Sequence, residues 1–456
     1  MHNMKNNYSF ISMIRRYVNT SGVLIIASIF ALVAANTPLK ESYFAFWQNE
    51  VAFSIGEFNL FSHGGHNMSL LQVINDFLMA IFFLSVGLEI KREILVGELS
   101  TRQKALLPII GACGGMAVPV LLFWLTCPND PDMLRGVAIP MATDIAFSLG
   151  VLSVFKTRVP LGLKMFLAAL AVADDLGGII VIAIFYSTSL EYNYLLIAIV
   201  CIALLIAGNK LRIMKKSFYL AIGIVLWYAM LNSGIHATIA GVIVAFCIPA
   251  SQRKGSAYYL ERIRESIKTF PVTNVNGKHH TMILTNNDVH KLKSIESAAD
   301  KLISPLQELE DNLHKIIGYI VIPLFAFANV GIDLSSMSIA DVTGGVGMSV
   351  MIGLILGKFI GVYTFSWVAI KCGIVQLPEG SNWKAFASVC MICGIGLTVS
   401  IFIADLSYAQ LGASGVQLLN QAKVGILCGS LISAIIGCIL LNSNLPKEST
   451  HVEEHQ

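Results

Sequence analysis

The chain has 456 residues, of which 55% are hydrophobic and only 13% charged, and its mean hydropathy is +0.71. Soluble domains carry about 25% charged residues, so the composition excludes an ordinary soluble globular domain. A net charge of +3, with no basic patch interleaved with aromatics, gives no surface for nucleic acid.

Long apolar runs recur from Gly22 to Leu441 and predict an all-α polytopic membrane protein. Lys5, Arg15 and Arg16 precede the first run, Gly22 to Ala35. With many spans following, this reads as a retained first helix rather than a cleaved signal peptide. Twelve spans are predicted, near residues 20–36, 70–88, 105–125, 137–153, 161–186, 193–208, 217–231, 236–249, 315–331, 345–370, 385–404 and 423–442. The seventh and eighth are short. Between the first two, Val51 to Ile55 and Phe58 to Phe61 have strand composition on either side of Gly56-Glu57. They predict a small extracellular β-hairpin within residues 50–63. A lone hairpin is marginal, so it needs a partner, such as a second copy of itself.

The organisation that follows is spans one to eight in residues 1–249, a hydrophilic insert at 250–314, spans nine to twelve at 315–442, and a tail at 443–456. The insert is polar and poor in aromatics, and reads as partly helical and partly disordered. Its His279-His280 pair falls short of the ligand count of a metal site. Placing the N-terminus in the cytoplasm leaves only Lys40, Arg135 and Lys423 in external connections, against seventeen cations in short internal segments. That asymmetry supports cytoplasmic termini and a cytoplasmic insert. Nine cysteines, an odd number and mostly in apolar runs, form no disulfide framework. The Cys390/Cys393 pair lies inside a span, away from the soluble settings in which such pairs do redox or metal chemistry.

Ionisable residues at membrane depth are costly and face a cavity or a partner, and four stand out. Asp144 lies in Ile139-Pro-Met-Ala-Thr-Asp-Ile-Ala-Phe147, Asp174 and Asp175 in Ala171-Val-Ala-Asp-Asp-Leu-Gly-Gly178, and Lys358 in Gly353-Leu-Ile-Leu-Gly-Lys-Phe-Ile-Gly361. Three carboxylates against one ammonium leave an excess of acid that static pairing does not balance. Neighbours on a helix point about 100° apart, so one aspartate of the pair can line a cavity while the other reaches a partner. Burial and a nearby like charge favour the protonated carboxyl. Such a group gives up its proton when sodium arrives, which is exchange by competition at one site. Thr143 and freed backbone carbonyls supply further hard oxygen ligands.

Two spans read as interrupted. Pro140 breaks the fourth, just ahead of Thr143 and Asp144, and Gly394 and Gly396 loosen the eleventh. The two cross the membrane in opposite senses. An inverted repeat of spans three to five and ten to twelve places them in matching positions, the sequence pointer to a midplane ion site. Where two like half-helix ends meet, Asp144 can neutralise the positive pair. Lys358 can serve the negative ends or bind a carboxylate, and the sequence leaves that choice open.

At these residues the chain resembles the NhaA sodium/proton antiporter family, over nearly its whole length apart from the insert. The resemblance is carried by Phe83-Leu-Ser-Val-Gly-Leu-Glu-Ile-Lys-Arg-Glu93, Ala138-Ile-Pro-Met-Ala-Thr-Asp-Ile-Ala-Phe147, Ala173-Asp-Asp-Leu-Gly177, Gly234-Ile-His-Ala-Thr238, Pro323-Leu-Phe-Ala-Phe-Ala-Asn329 and Cys393-Gly-Ile-Gly-Leu-Thr-Val-Ser-Ile-Phe-Ile403. It implies a multi-pass transporter of the bacterial inner membrane, not an enzyme. It implies electrogenic exchange of two H+ for one Na+ or Li+, with no cofactor. It places the ions at Asp174 and Asp175, Thr143 and Asp144 on crossed broken helices, and Lys358 as partner to Asp174 or to helix ends. It assigns the hairpin at Val51–Phe61 to a homodimer and implies a pH-responsive group at the cytoplasmic funnel: Glu89, Glu93, His236, Glu310 and His314. The insert just before Glu310 departs from the shorter family pattern.

Other functions fit less well. A sodium-coupled symporter of a small organic anion has less use for surplus carboxylates. An intramembrane protease takes its two aspartates from separate helices, whereas Asp174 and Asp175 are adjacent on one. A channel would lack obligatory coupling of sodium to counter-moving protons.

Overall fold

The computed structural model describes residues 20–55, 58–63, 66–155, 158–186, 190–251, 256–268, 286–300, 302–336 and 344–445. Helix α1 (Thr20–Ala35) turns through 111° into the short α2 (Lys40–Gln48). Helices α3 (Leu70–Val96) and α4 (Arg102–Thr126) follow. Helices α5 (Pro131–Met141) and α6 (Ile145–Val154) form a pair bent by 44°. Next come α7 (Leu161–Phe185), α8 (Tyr192–Lys210) and two shorter apolar helices, α9 (Lys216–Leu231) and α10 (Thr238–Cys247). Helices α11 (Ser256–Lys268) and α12 (Asn286–Asp300) are polar and pack on each other, with Arg262 Nε donating to Ser294 Oγ at 3.3 Å. The chain then continues through α13 (Pro305–Asn329), α14 (Gly345–Lys371), the second broken pair α15 (Trp383–Ile392) and α16 (Leu397–Tyr408), bent by 42°, and α17 (Ser414–Asn444).

Among the described residues, seven of these helices (α3, α4, α7, α8, α13, α14 and α17) are long and apolar enough to cross a bilayer, and as many as ten spans result if each bent pair is one. Both interruptions read from the sequence appear as bends. Pro140 sits in the tight 3₁₀ stretch that ends α5 and offers no N–H to continue it. Gly394 and Gly396 lie in the non-helical link between α15 and α16. A Cβ on Gly394 would strike the Leu354 carbonyl of α14, so α14 can press this close only against glycine. The 111° turn after α1 was not foreseen.

Close backbone approach also joins α4 to α14. Gly114 and Gly361 face each other so tightly that a Cβ on either would collide with the other's carbonyl oxygen. This is how helices associate in lipid, where small residues replace the missing hydrophobic drive with packing contact. A π-helical turn at Gly353–Gly357 runs directly into Lys358, and another at Ile74–Leu78 follows the first turn of α3.

The expected hairpin is part of a larger structure. Strands β1 (Glu50–Val51), β2 (Ser54–Ile55), β3 (Phe58–Asn59), β4 (Ser62–His63) and β5 (His66–Ser69) form a three-stranded sheet ordered β1-β5-β4 and a two-stranded β2-β3 pair. Ser54 faces Asn59 and Ile55 faces Phe58, as a hairpin at those residues requires, while its turn at 56–57 lies outside the described residues. Strand β5 gave no sequence signal because His66-Asn-Met-Ser69 lacks apolar alternation. Side chains hold it instead: Asn67 donates to Glu50 Oε2 at 3.0 Å and accepts from Asn59 at 2.8 Å.

Two boundaries move. Helix α13 begins at Pro305, inside the stretch read as insert, with Ser304 and Gln307 closing a capping box at its start. Lys423, read as external, is buried within α17. The N-terminal cations, the His279-His280 pair and the C-terminal tail beyond residue 445 lie outside the described residues.

Candidate functional site

The two broken pairs meet. The backbone N–H of Asp144 donates to Ile395 O at 2.7 Å, so the links of both breaks lie side by side. The Asp144 carboxylate serves both second halves at once. Its Oδ1 accepts from Phe147 N at 3.0 Å, capping α6, and its Oδ2 accepts from Thr398 N at 3.1 Å and Thr398 Oγ at 2.7 Å, at the start of α16. One buried anion thus answers two helix N-termini, each a partial positive charge with orphan N–H donors. The C-terminal ends are served by hydroxyls. Ser400 Oγ donates to Ile139 O at 2.8 Å, and Ser148 Oγ reaches Ile392 O at 3.5 Å.

Beside this crossing, α7 carries Asp174 and Asp175, both buried. Asp174 Oδ2 accepts from Lys358 Nζ at 2.5 Å and from Thr143 Oγ at 2.7 Å, and that hydroxyl also lies 3.1 Å from Cys393 O. Lys358 therefore joins Asp174 rather than a helix end. Asp174 Oδ1 is buried with no hydrogen-bond partner. No described donor reaches the Asp175 carboxyl, which lies within electrostatic range of Asp174, Glu89, Asp144 and Lys358. Buried polar atoms in proteins are nearly always satisfied, and these open carboxylate oxygens have the chemistry to take a proton or a hard cation. The Thr143 hydroxyl and the carbonyls of the broken helices add oxygen donors without charge.

A family model described as Na+/H+ antiporter 1 matches residues 12–441. The chain belongs to that family. Proteins named Na(+)/H(+) antiporter NhaA are similar to it along their length: one from Bacteroides fragilis is 51% identical over 430 residues, covering 94% of this chain and 96% of the relative. Another, from Phocaeicola vulgatus, is 48% identical over 442 residues, with 97% of each covered. A third, from Porphyromonas gingivalis, is 43% identical over 455 residues, with 99% of this chain and all of the relative covered. Family and helices together make this a multi-pass membrane protein.

The residues grouped for pH response by the resemblance do not all come together in this antiporter-family chain. Arg92 gathers three of them: it pairs with Glu310 at 2.8 Å and Glu93 at 3.0 Å, and Glu89 lies one turn before it on α3. His314 is exposed, one turn beyond Glu310. His236 is elsewhere. It lines a cavity of about 180 Å³ with Met68 of β5, Gln72 and Asn75, near the other end of α3 from Glu89. A shared motif does not report which end of a helix pair a residue occupies, and here that decides the grouping.

Sequence reading missed Arg92, Thr398 and a second buried polar group. Asn75 Nδ2 donates to Asp405 Oδ2 at 2.8 Å, and Asn329 Nδ2 donates to Asn75 Oδ1 at 2.7 Å. Asp76 and Asp405 line the same cavity as His236, and Lys423 lies within electrostatic range of Asp405. The available signal was Asp76 itself, a charge six residues inside the predicted second span.

Proposed function

We propose that this chain exchanges cytoplasmic Na+ or Li+ for external H+, electrogenically, with two protons for each cation. The observation that carries this reading is the pair of adjacent buried carboxyls on α7, one tied to Lys358 and the other without a donor. In the cation-loaded state both carboxylates are ionised and face the ion together with Thr143. In the proton-loaded state one proton sits on Asp175 and one is held within the Asp174–Lys358 pair. The two loads differ by one positive charge, which makes each cycle electrogenic. Neither load is stable together with the other, because a protonated carboxyl is a poor cation ligand, and this exclusion couples the two fluxes.

The same reading takes each bent pair and each short apolar helix as one crossing, which brings the long helices to twelve spans. It relates α4–α7 to α14–α17 by an inverted repeat. Two reciprocal contacts support that relation: Gly114 against Gly361, and Ser148 and Ser400 each reaching the last turn of the opposite broken helix. It places the chain in a bacterial inner membrane with both termini and the 250–314 insert in the cytoplasm. The sheet around Val51–Phe61 serves a homodimer, and Glu89, Glu93 and Glu310 gathered on Arg92 set the pH response. An anion symporter is disfavoured by the surplus carboxyls.

The test is reconstitution into liposomes carrying an imposed proton gradient. Added Na+ or Li+ should collapse the gradient, and clamping the voltage with valinomycin and K+ should change the rate. Collapse by an organic anion only in the presence of Na+ would favour the symporter instead.

A further inference from the structure

A second, larger cavity lies on the outer face of the helices that carry the ion site. It has a volume of about 890 Å³, within the range of ligand-binding cavities. Its walls are apolar: Met116 and Ala117 of α4, Ala138 and Met141 of α5, and Ile180 and Phe185 of α7. Ile180 and Phe185 are exposed there, which in a membrane-spanning chain means exposed to lipid. Such an apolar lining offers ordered water few polar partners.

We propose that this groove is a site for one phospholipid whose zwitterionic headgroup carries a primary amine, with an acyl chain along the groove and the headgroup at Arg135 and Asp132. Charge complementarity identifies the headgroup. Arg135 lines the groove. Its Nε lies 3.7 Å from Asp132 Oδ1, and the two side chains are 49% and 50% exposed. That separation is long for an ion pair, so both groups can turn to a ligand. A guanidinium suits a phosphate bidentately, and a carboxylate suits an ammonium. Phosphoethanolamine presents both, two carbons apart. A headgroup with phosphate alone meets Asp132 and the neighbouring Asp130, whose Oδ1 accepts from Asp132 N at 2.9 Å. The other polar groups at this end satisfy each other: Tyr186 donates to Arg135 O at 2.8 Å and accepts from Ser407 at 3.1 Å.

The position gives such a lipid a consequence. Met141 lies three residues before Asp144, and Gly177, another lining residue, two after Asp175. Tyr186 and Leu406 line this groove and also the cavity of Asp76 and Asp405, so they are the wall between the two. An acyl chain in the groove braces that wall and the first half of the broken helix.

The test is native mass spectrometry of the full-length protein in detergent, with dioleoyl phosphatidylethanolamine, phosphatidylcholine and phosphatidylglycerol added at equal concentrations. One phosphatidylethanolamine should be retained about tenfold better than either other lipid, the factor that one charge-assisted hydrogen bond supplies. Asp132→Asn should abolish that preference, and Ala117→Trp, which puts a ring into the groove, should remove the retained lipid. Equal retention of all three lipids by the unaltered protein overturns the proposal. So does a phosphatidylethanolamine preference that survives Asp132→Asn. Both readings stand even if the tryptophan variant does not fold.

Discussion

Lys358 Nζ lies 2.5 Å from Asp174 Oδ2 with both side chains fully buried. Removing one partner of such a pair costs about 3–5 kcal/mol, because the remaining charge is left alone in a low-dielectric setting. Lys358→Gln should therefore lower thermal stability strongly, and Lys358→Gln combined with Asp174→Asn should recover much of the loss. The comparison is of unfolding midpoints in one detergent. Strict additivity of the two single effects would contradict a pair.

Asp144 holds the starts of α6 and α16 together through three accepted hydrogen bonds. Asp144→Ala removes both caps, at up to about 2 kcal/mol each, and should destabilise by about 2–4 kcal/mol. Asp144→Asn keeps an acceptor oxygen but not the charge, so its loss should be smaller. Equal midpoints for the two variants would show that the charge, not the hydrogen bonds, carries the effect.

Asp175→Asn keeps side-chain size and removes the titratable anion. Its carboxyl takes no described hydrogen bond, so folding should be nearly unaffected while Na+-driven proton movement disappears. Exchange at the unaltered rate would remove Asp175 from the ion site.

The insert can be excised without straining its neighbours. Leu306 N donates to Pro249 O at 3.3 Å, so its two ends already touch. The deletion should stop at Ile303, because the Ser304 hydroxyl caps α13. Residues 255–303 carry seven Lys and Arg against five Asp and Glu, a net charge of +2. Nearby positive charge favours ionised carboxylates. Without it Glu310 should lose its proton at higher pH, moving the onset of activity to more alkaline values by less than about one unit, given screening by salt. Maximal exchange should persist. Rate against pH in liposomes checks this, and loss of transport at every pH in a folded protein would place the insert in the transport path.

What the sequence disclosed follows from how local each signal is. Pro140 lacks an N–H and Gly394 lacks a Cβ whatever surrounds them, so both breaks were readable. Asp144, Asp174, Asp175 and Lys358 stood out as charges within apolar runs. Their partners did not, since the choice of Asp174 over a helix end for Lys358 depends on how α7 and α14 pack. Asp405 and Lys423 were lost at boundaries. The eleventh span was drawn to end at residue 404, and the start of α17, Ser414-Gly-Val-Gln-Leu-Leu-Asn-Gln421, reads as a polar loop; the structure makes it helix and buries Leu418, Gln421 and Lys423 along it. Strand β5 depends on pairing with β1 and β4, which no single segment reveals.

The central claim is that cations and protons compete for the carboxyls of Asp174 and Asp175. The most direct measurement is the apparent KM for Na+ against pH in proteoliposomes. Competition predicts that KM rises as pH falls, by about tenfold per unit for each competing proton, while saturating Na+ restores the rate. A KM that stays constant with pH, while the maximal rate falls, would mean that protons act away from the cation site and would contradict the account.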